Sequence, residues 1–168
     1  MFRNKLSNPN NQKEFTINDY VTLKIIDKEV YVFVGGQEFR QCKGYITIPD
    51  QKKGNVSIED ELWFYSSAIQ AWFEYNFSED ILSLEFGFSL LDKLSELGMT
   101  RAKEALIPKI FERYSTGDDK GRLFLIKEGY IGYLLDNQYK VGDLRNLIKD
   151  KAVIQELDKF FSYYSRCS

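Results

Sequence analysis

The residues of this chain that could do chemistry are one cysteine and one run of carboxylates. The positive charge of Lys43 or Arg40 could lower the pKa of the Cys42 thiol and make it a nucleophile. Glu59, Asp60 and Glu61 could together hold a divalent cation. Both patterns also have a structural explanation: a small buried hydrophobe in a strand for Cys42, and first-turn acids of a helix for the run. The sequence favours the structural explanation for each.

The chain has 168 residues and no histidine. This composition excludes Ser–His–Asp and Cys–His catalysis and zinc bound through histidine. Cys42 and Cys167 are too few for a zinc site made of cysteines alone. Asp118, Asp119 and Asp136 do not have the spacing of a calcium-binding loop. The sequence therefore predicts no catalytic, metal-binding or cofactor-binding residue.

Gly35, Gly36 and Gln37 match the tripeptide with which class I translation release factors act in peptidyl-tRNA hydrolysis. Those factors carry it at the tip of an exposed loop in a basic domain, whereas this chain has a net charge of −2. Here the tripeptide stands between segments with a strand pattern, where two glycines are typical of a hairpin turn. We interpret it as a turn.

Charge and hydropathy bound the environment and the partners. Charges of both signs are scattered along the chain, which does not favour nucleic acid or an anionic membrane as a partner. No apolar run approaches the ~20 residues that span a bilayer. Two cysteines fit free thiols in a reducing compartment better than a disulfide. We expect a soluble cytoplasmic protein without membrane association.

Alternating apolar residues predict a small sheet in residues 14–49, after a flexible tail in residues 1–13. Val21, Leu23 and Ile25 would share one face of a half-buried strand. This period of two ends before the linker that precedes the helical part of the chain.

Turn residues divide this region into an antiparallel meander. Asp27–Lys28 predicts a tight turn, and Gly35–Gly36 predicts a two-residue hairpin turn. Residues 38–42 and 45–48 predict two further strands. Pro49 would end the pairing because it has no backbone N–H.

Helical periodicity follows a polar linker at residues 50–56. Ser57 and Asp60 have the spacing of a capping box with the shorter acid, and they predict a first helix over residues 58–76. The rest of residues 57–168 predicts further helices.

Pro108 lies deep inside the helical pattern of residues 100–114 and predicts a kink or a break near Leu106. The predicted fold is α+β: a small N-terminal antiparallel β-meander packed on a C-terminal bundle of five or six helices. We expect one continuous core in a single domain.

Two blocks of sequence carry a resemblance to a known family. The first is VTLKIIDKEVYVFVGGQEFRQCKGYITIP, and the second runs from EDELWFYSSAIQAWFEYNF through FSLLDKLSELGMTRAKEALIPKIFERYSTGD. Their most specific pieces are Gln41–Cys42–Lys43, Glu61–Leu62–Trp63 and Gln70–Ala71–Trp72. Over residues 15–135 the chain resembles an uncharacterised domain of archaea of the Asgard group. That domain often precedes leucine-rich repeats or other adaptor regions, so the resemblance implies an interaction role.

The chain departs from that family where relatives have a His–Cys pair and it has Tyr65–Ser66. If the His–Cys pair does chemistry or holds a metal in relatives, that chemistry is absent here. If Tyr65–Ser66 fills the same interior space, the His–Cys pair has a packing role. The helical wheel places Tyr65 and Ser66 on the apolar side of the first helix, which favours packing.

Trp63 lies on the polar arc of the same wheel, beside Gln70 and Glu74, whereas Trp72 and Phe73 lie on the apolar side. Tryptophan is enriched at interface hot spots. We therefore predict that Trp63, Gln70 and Glu74 bind a partner. The alternative is that the tail or the linker folds over the Trp63 indole.

These observations predict a non-enzymatic protein-binding or adaptor module. A protein or peptide would dock near the first helix or on the exposed edge of the sheet, and self-association could replace an external partner. The alternatives are a small-molecule sensor or an enzyme that uses carboxylate or tyrosine acid–base chemistry. A nucleic-acid-associated role is less favoured.

Overall fold

The computed structural model describes residues 13–48 and 56–167. The predictions for the tail before Lys13, for Pro49 and for the linker up to residue 55 lie outside these residues. The described residues form four strands followed by seven helices, which confirms the α+β class and the N-terminal meander. The helices number seven rather than five or six.

The strands and helices have the following bounds. The strands are β1 (Glu14–Thr16), β2 (Val21–Ile26), β3 (Glu29–Val34) and β4 (Gln37–Gln41). The helices are α1 (Ile58–Glu74), α2 (Leu84–Glu96), α3 (Thr100–Thr116), α4 (Asp119–Lys127), α5 (Ile131–Asp136), α6 (Val141–Asn146) and α7 (Lys151–Cys167).

The sheet has the order β1-β2-β3-β4, and every neighbouring pair is antiparallel. Val21 pairs with Val34, and Leu23 pairs with Val32. These four side chains are buried, since residues two apart in a strand share one face. Helix α1 contacts β1, β2 and β3. The alternating pattern therefore places the apolar face of the sheet against α1.

Both predicted hairpin turns are present. Asp27 and Lys28 have φ angles of 50° and 66° and join β2 to β3, and Gly35 and Gly36 have φ angles of 60° and 80° and join β3 to β4. Positive φ at both central residues is the geometry that matches the twist of the flanking strands. Glycine adopts it readily, whereas Asp27 and Lys28 adopt it at a cost.

The predicted strand at residues 45–48 is wrong. After β4 the chain turns instead, and the carbonyl oxygen of Cys42 accepts hydrogen bonds from the backbone N–H groups of Tyr45 (3.1 Å) and Ile46 (3.0 Å). The ring of Tyr45 packs with its centroid 5.8 Å from that of Phe86. The conformation of this segment is therefore set by contact with α2 and not by the alternating pattern of its sequence.

Helix α2 lies alongside β4, the last strand of the sheet. Phe39 packs edge-on against Phe86, with ring centroids 6.1 Å apart. The neighbouring residue, Arg40, donates hydrogen bonds to Glu85 (3.1 Å) and Ser89 (3.4 Å). Phe39 and Arg40 lie at a register shift between β3 and β4, where Phe39 has no partner in β3. Both side chains contact α2, so this helix packs beside β4.

A break near Leu106 is also wrong, because α3 runs without interruption from Thr100 to Thr116 with Pro108 inside it. The alternative, a kink, stays a prediction. Pro108 cannot donate the helical hydrogen bond to the carbonyl of Glu104. Both residues lie on the exposed side of the helix, where water can hydrate that carbonyl. Leu106 and Ile110 are buried on either side of the proline and keep the helix docked.

The chain divides into two compact units, Met1–Lys103 and Glu104–Ser168, with the boundary inside α3. In the second unit α7 contacts α4 and α6. The hydroxyl of Tyr114 donates a buried hydrogen bond of 2.8 Å to the carbonyl oxygen of Leu144 and so ties α3 to α6. One continuous core for the whole chain stays a prediction. Within the described ranges, no helix is long and apolar enough to cross a membrane.

Candidate functional site

Trp63 is the large aromatic side chain that α1 directs away from the sheet. Its side chain is 61% exposed, in contrast to Trp72 at 1% and Phe73 at 0% on the same helix. The helix is fixed in this orientation by a stripe of residues buried on its other side: Leu62, Tyr65, Ser66, Ile69, Trp72 and Phe73. The packing of α1 on the sheet thus presents the indole to solvent.

Polar and acidic residues surround this indole along the helix. We call the set the Trp63 face: Glu59, Asp60, Trp63, Ser67, Gln70 and Glu74. Each of the others lies three or four residues, or a sum of these, from Trp63, so they lie on the same side of the helix as the indole. Gln70 is half-buried and Glu74 is exposed. The three predicted partner-binding residues therefore share one surface.

Hydrogen bonds within the helix order the Trp63 face. The Ser67 hydroxyl donates to the backbone carbonyl of Trp63 at 2.9 Å. The Gln70 amide donates to the Glu74 carboxylate at 3.2 Å. Less side-chain entropy is then lost when a partner binds, since these groups already hold defined positions.

The charged residues of α1 are all acidic. Its sequence, IEDELWFYSSAIQAWFE, contains four acids and no lysine or arginine. Within residues 13–48 and 56–167, none of these four carboxylates forms an ion pair. Glu59, Asp60 and Glu61 occupy the first turn, where the helix dipole favours negative charge, and Ser57 caps that turn by accepting from the N–H of Asp60 at 3.1 Å. Glu59, Asp60 and Glu61 are therefore first-turn acids of a helix, as the sequence predicted.

The other side of α1 holds a buried group of weak acids. Burial, with a smaller effect of Glu61, raises the pKa of the Cys42 thiol from 9.0 to about 12. The same two causes, in the same order, raise the pKa of the Tyr65 hydroxyl from 10.0 to about 12. Both groups are therefore protonated at neutral pH.

Cys42 and Tyr65–Ser66 thus belong to the interior, as the sequence predicted. Cys42 and Ser66 are both 0% exposed. The hydroxyl oxygen of Ser66 has no hydrogen-bond partner among the described residues. A thiol with this pKa has almost no thiolate at pH 7, so Lys43 does not activate it as a nucleophile.

The remaining candidates from the sequence have structural roles. Gly35 and Gly36 form the β3–β4 turn, and Gln37 is the first residue of β4. Asp118 caps α4 by accepting from the N–H of Gly121 at 2.8 Å.

The other two aspartates have side-chain partners. Asp119 pairs with Arg122 at 3.0 Å. Asp136 accepts a hydrogen bond from Tyr164. In the part of the chain that the structure describes, no group of three or more Cys, Asp or Glu residues could hold a metal ion.

A concave surface lies in the second unit. An open groove of about 520 Å³ runs along one side of α7 and is lined by Gln155, Asp158, Lys159, Ser162, Tyr163 and Arg166. Asp158 pairs with Arg145 at 3.3 Å, and Lys159 pairs with Glu156 at 2.9 Å. The sequence did not single out this surface.

The sequence predicted Trp63, Gln70 and Glu74 but missed Glu59 and Asp60 as their neighbours. The signal was present in the spacing, because Glu59 and Asp60 precede Trp63 by four and three residues. The sequence did not assign Glu59 and Asp60 to the binding surface because the helix dipole already accounts for carboxylates in a first turn.

Comparison of this chain with protein-family models, curated proteins and solved structures finds no match. The resemblance over residues 15–135 therefore stays a prediction.

Proposed function

We propose that this protein is a non-catalytic binding module that holds a protein partner through the Trp63 face of α1. The observation that carries the proposal is the 61% exposure of the Trp63 indole on a helix whose opposite side is buried against the sheet. Tryptophan contributes large contact area and is enriched among the residues that dominate binding energy. The sequence resemblance to an adaptor-linked domain supports the same class of function.

The edge of the sheet supports this choice of surface. Strand addition needs a free edge with a row of unpaired backbone groups. The side chains of Phe39 and Arg40 bring α2 alongside β4. The opposite edge strand, β1, has only three residues. The face of α1 is therefore a better docking surface than either edge.

The state of the buried acids supports binding rather than catalysis. An acid–base or nucleophilic group works best with a pKa near the working pH. The thiol of Cys42 and the hydroxyl of Tyr65 both have a pKa of about 12. Two unpaired cysteines also fit a reducing compartment, and the proposal places the module in the cytoplasm.

A photo-crosslinking amino acid at position 67 tests the proposal. Ser67 lies four residues from Trp63 on the same face. In cells that naturally contain the protein, irradiation should yield a covalent adduct with one defined protein. The Trp63→Ala variant should lose the adduct. The same amino acid at Asp143, an exposed position on α6, is the matched control and should not yield it.

Two outcomes would contradict the proposal. One is no adduct from position 67. The other is an adduct that persists when Trp63 is replaced by alanine. Circular dichroism of each variant establishes that it is folded, so a lost adduct reports the surface and not the fold.

A further inference from the structure

The acidic character of the Trp63 face indicates which chemistry a partner must have. We propose that the partner segment is extended and cationic, with one arginine or lysine stacked on the Trp63 indole and a second paired with Glu74. This inference rests on the proposed function and specifies the ligand of the same surface.

The exposed indole is the first support. The face of an indole ring is the best aromatic acceptor for a cation, and arginine stacks on it most often. In the first unit, exposed cations already use rings in this way: Lys24 lies 4.7 Å from the centroid of Phe33. The Trp63 indole is 61% exposed, and among residues 13–48 and 56–167 no cation lies over it.

Glu74 is the second support, because its position is unfavourable for an acid. It is the last residue of α1, where the helix dipole favours positive charge, and the last turn contains no basic residue. Arg101, a cation that does reach this end of the helix, bonds the carbonyl of Phe73 and forms no ion pair with Glu74. A cation from a partner would pair with Glu74 at the C-terminal end of the Trp63 face.

Glu59 and Asp60 extend the negative charge to the N-terminal end of the Trp63 face. Their place in the first turn explains why they suit the helix, but they also lie four and three residues, respectively, from Trp63. A cation over the indole would thus lie beside two carboxylates. Charges of one sign along a face of this kind also steer an oppositely charged partner toward it.

The spacing of the two cation sites sets the length of the segment. Trp63 and Glu74 are eleven residues apart, which corresponds to about 16 Å along a helix. An extended chain advances about 3.3 Å per residue, so about five residues span that distance. A partner with two cations about five residues apart matches the face.

A titration followed by NMR tests this inference directly. The probe is a peptide of about ten glycine and serine residues with two arginines about five positions apart, and the control peptide has glutamates in their place. The arginine peptide should shift the Trp63 indole N–H resonance and leave that of buried Trp72 unchanged. The glutamate peptide should shift neither.

Charge variants supply the matched control. Replacement of Glu59, Asp60 and Glu74 by the corresponding amides should lower the affinity for the arginine peptide by at least about tenfold. Amides at Glu14, Asp19 and Glu38, three exposed acids of the sheet region, change the net charge equally and should have little effect. Binding should also weaken as salt rises from 0.1 M toward 1 M, where the screening length falls from about 10 Å to about 3 Å.

The two proposals fail in different ways. A Trp63-dependent crosslink, together with no shift by the arginine peptide or equal shifts by both peptides, would overturn the cationic partner and leave the binding function standing. Loss of the crosslink would contradict the binding function itself. Trp63 shifts that depend on protein concentration without peptide would identify a second copy of the chain as the occupant, which also overturns the cationic segment.

Discussion

The guanidinium of Arg101 closes the C-terminal end of α1 by donating a hydrogen bond of 2.8 Å to the carbonyl oxygen of Phe73. The same group lies 5.4 Å from the centroid of the Phe77 ring. Phe77 and the preceding Asn76 have φ angles of 60° and 53°, in the left-handed region that side chains other than glycine adopt at a cost. Arg101 therefore stabilises a strained turn from two directions.

Replacing Arg101 by methionine should reduce the free energy of unfolding by about 1–2 kcal/mol, because a charge-assisted hydrogen bond and a cation–ring contact are both lost. Urea denaturation followed by circular dichroism measures the change. Lys93→Met is the control, since Lys93 forms an exposed pair with Glu96 and should cost about 0.5 kcal/mol or less. Equal losses in the two variants would contradict the capping role.

The Asp27–Lys28 turn offers a stabilising substitution. Both residues have positive φ angles, and Asn–Gly is the preferred pair for a turn of this geometry. The double variant Asp27→Asn, Lys28→Gly should raise the free energy of unfolding by about 0.5–1 kcal/mol. Thermal denaturation measures the gain.

The second hairpin turn supplies the opposite control. Gly35 has a φ of 60°, and a Cβ at this position would lie 2.9 Å from Cδ1 of Leu97. Gly35→Ala should therefore lower the melting temperature. A gain in stability from this variant would show that the left-handed geometry is not maintained in solution.

The two cysteines should react with thiol reagents at very different rates. Cys167 is exposed, whereas Cys42 is buried and its thiol has a pKa of about 12. In native protein at pH 8, a chromogenic disulfide reagent should modify one thiol quickly, and a second only after denaturant is added. The Cys167→Ser variant should lose the fast phase. Rapid modification of both thiols would contradict the buried position of Cys42.

Stability should fall when the pH rises above 9. Between the ordinary pKa of 9.0 and the folded value of about 12, the Cys42 thiol ionises in the unfolded chain but keeps its proton in the folded one. The unfolded state then binds fewer protons, so the free energy of unfolding decreases with pH, at most by about 1.4 kcal/mol per pH unit for one group. Tyr65 adds to the loss above its ordinary value of 10.0.

The variant Cys42→Ala isolates the contribution of the thiol. Denaturant titrations at pH 8.0, 9.0 and 10.0 should show a smaller decrease in stability for this variant than for the parent chain, even if the variant is less stable at every pH. An identical pH dependence in both proteins would show that Cys42 is not the group responsible.

Tyr114 tests the packing of the second unit. Its hydroxyl donates the buried hydrogen bond to Leu144, and burial raises its pKa. Tyr114→Phe should cost about 1–2 kcal/mol, because the carbonyl loses its partner inside the protein. Tyr163→Phe is the matched control, since Tyr163 is 70% exposed, and chemical denaturation of the two variants gives the comparison. A loss within about 0.5 kcal/mol of that control would contradict the role of the bond.

The sequence predicted those elements whose cause is local. The alternation of Val21 and Leu23, the glycines at 35 and 36, and the apolar stripe of α1 all depend on near neighbours in the chain, and the structure contains each of them. The exposure of Trp63 follows from that stripe, because packing of one side of a helix fixes the direction of the other.

The errors occur where distant contacts decide the conformation. Tyr45 fits a strand pattern as well as a turn, and its contact with Phe86 selects the turn. Pro108 fits a break or a kink, and its exposure, with buried residues on either side, permits a continuous α3 without a break. The partnership of Arg101 with Phe73 spans 28 residues, so local periodicity gave no sign of it.

Helix α1 carries both tryptophans of the chain, nine residues apart. That is about two and a half helical turns, so one indole meets water and the other meets the interior. An indole in water emits at longer wavelength than one in an apolar environment. The intrinsic emission of the native protein should therefore contain two components, of which only the red one is open to quenching by iodide.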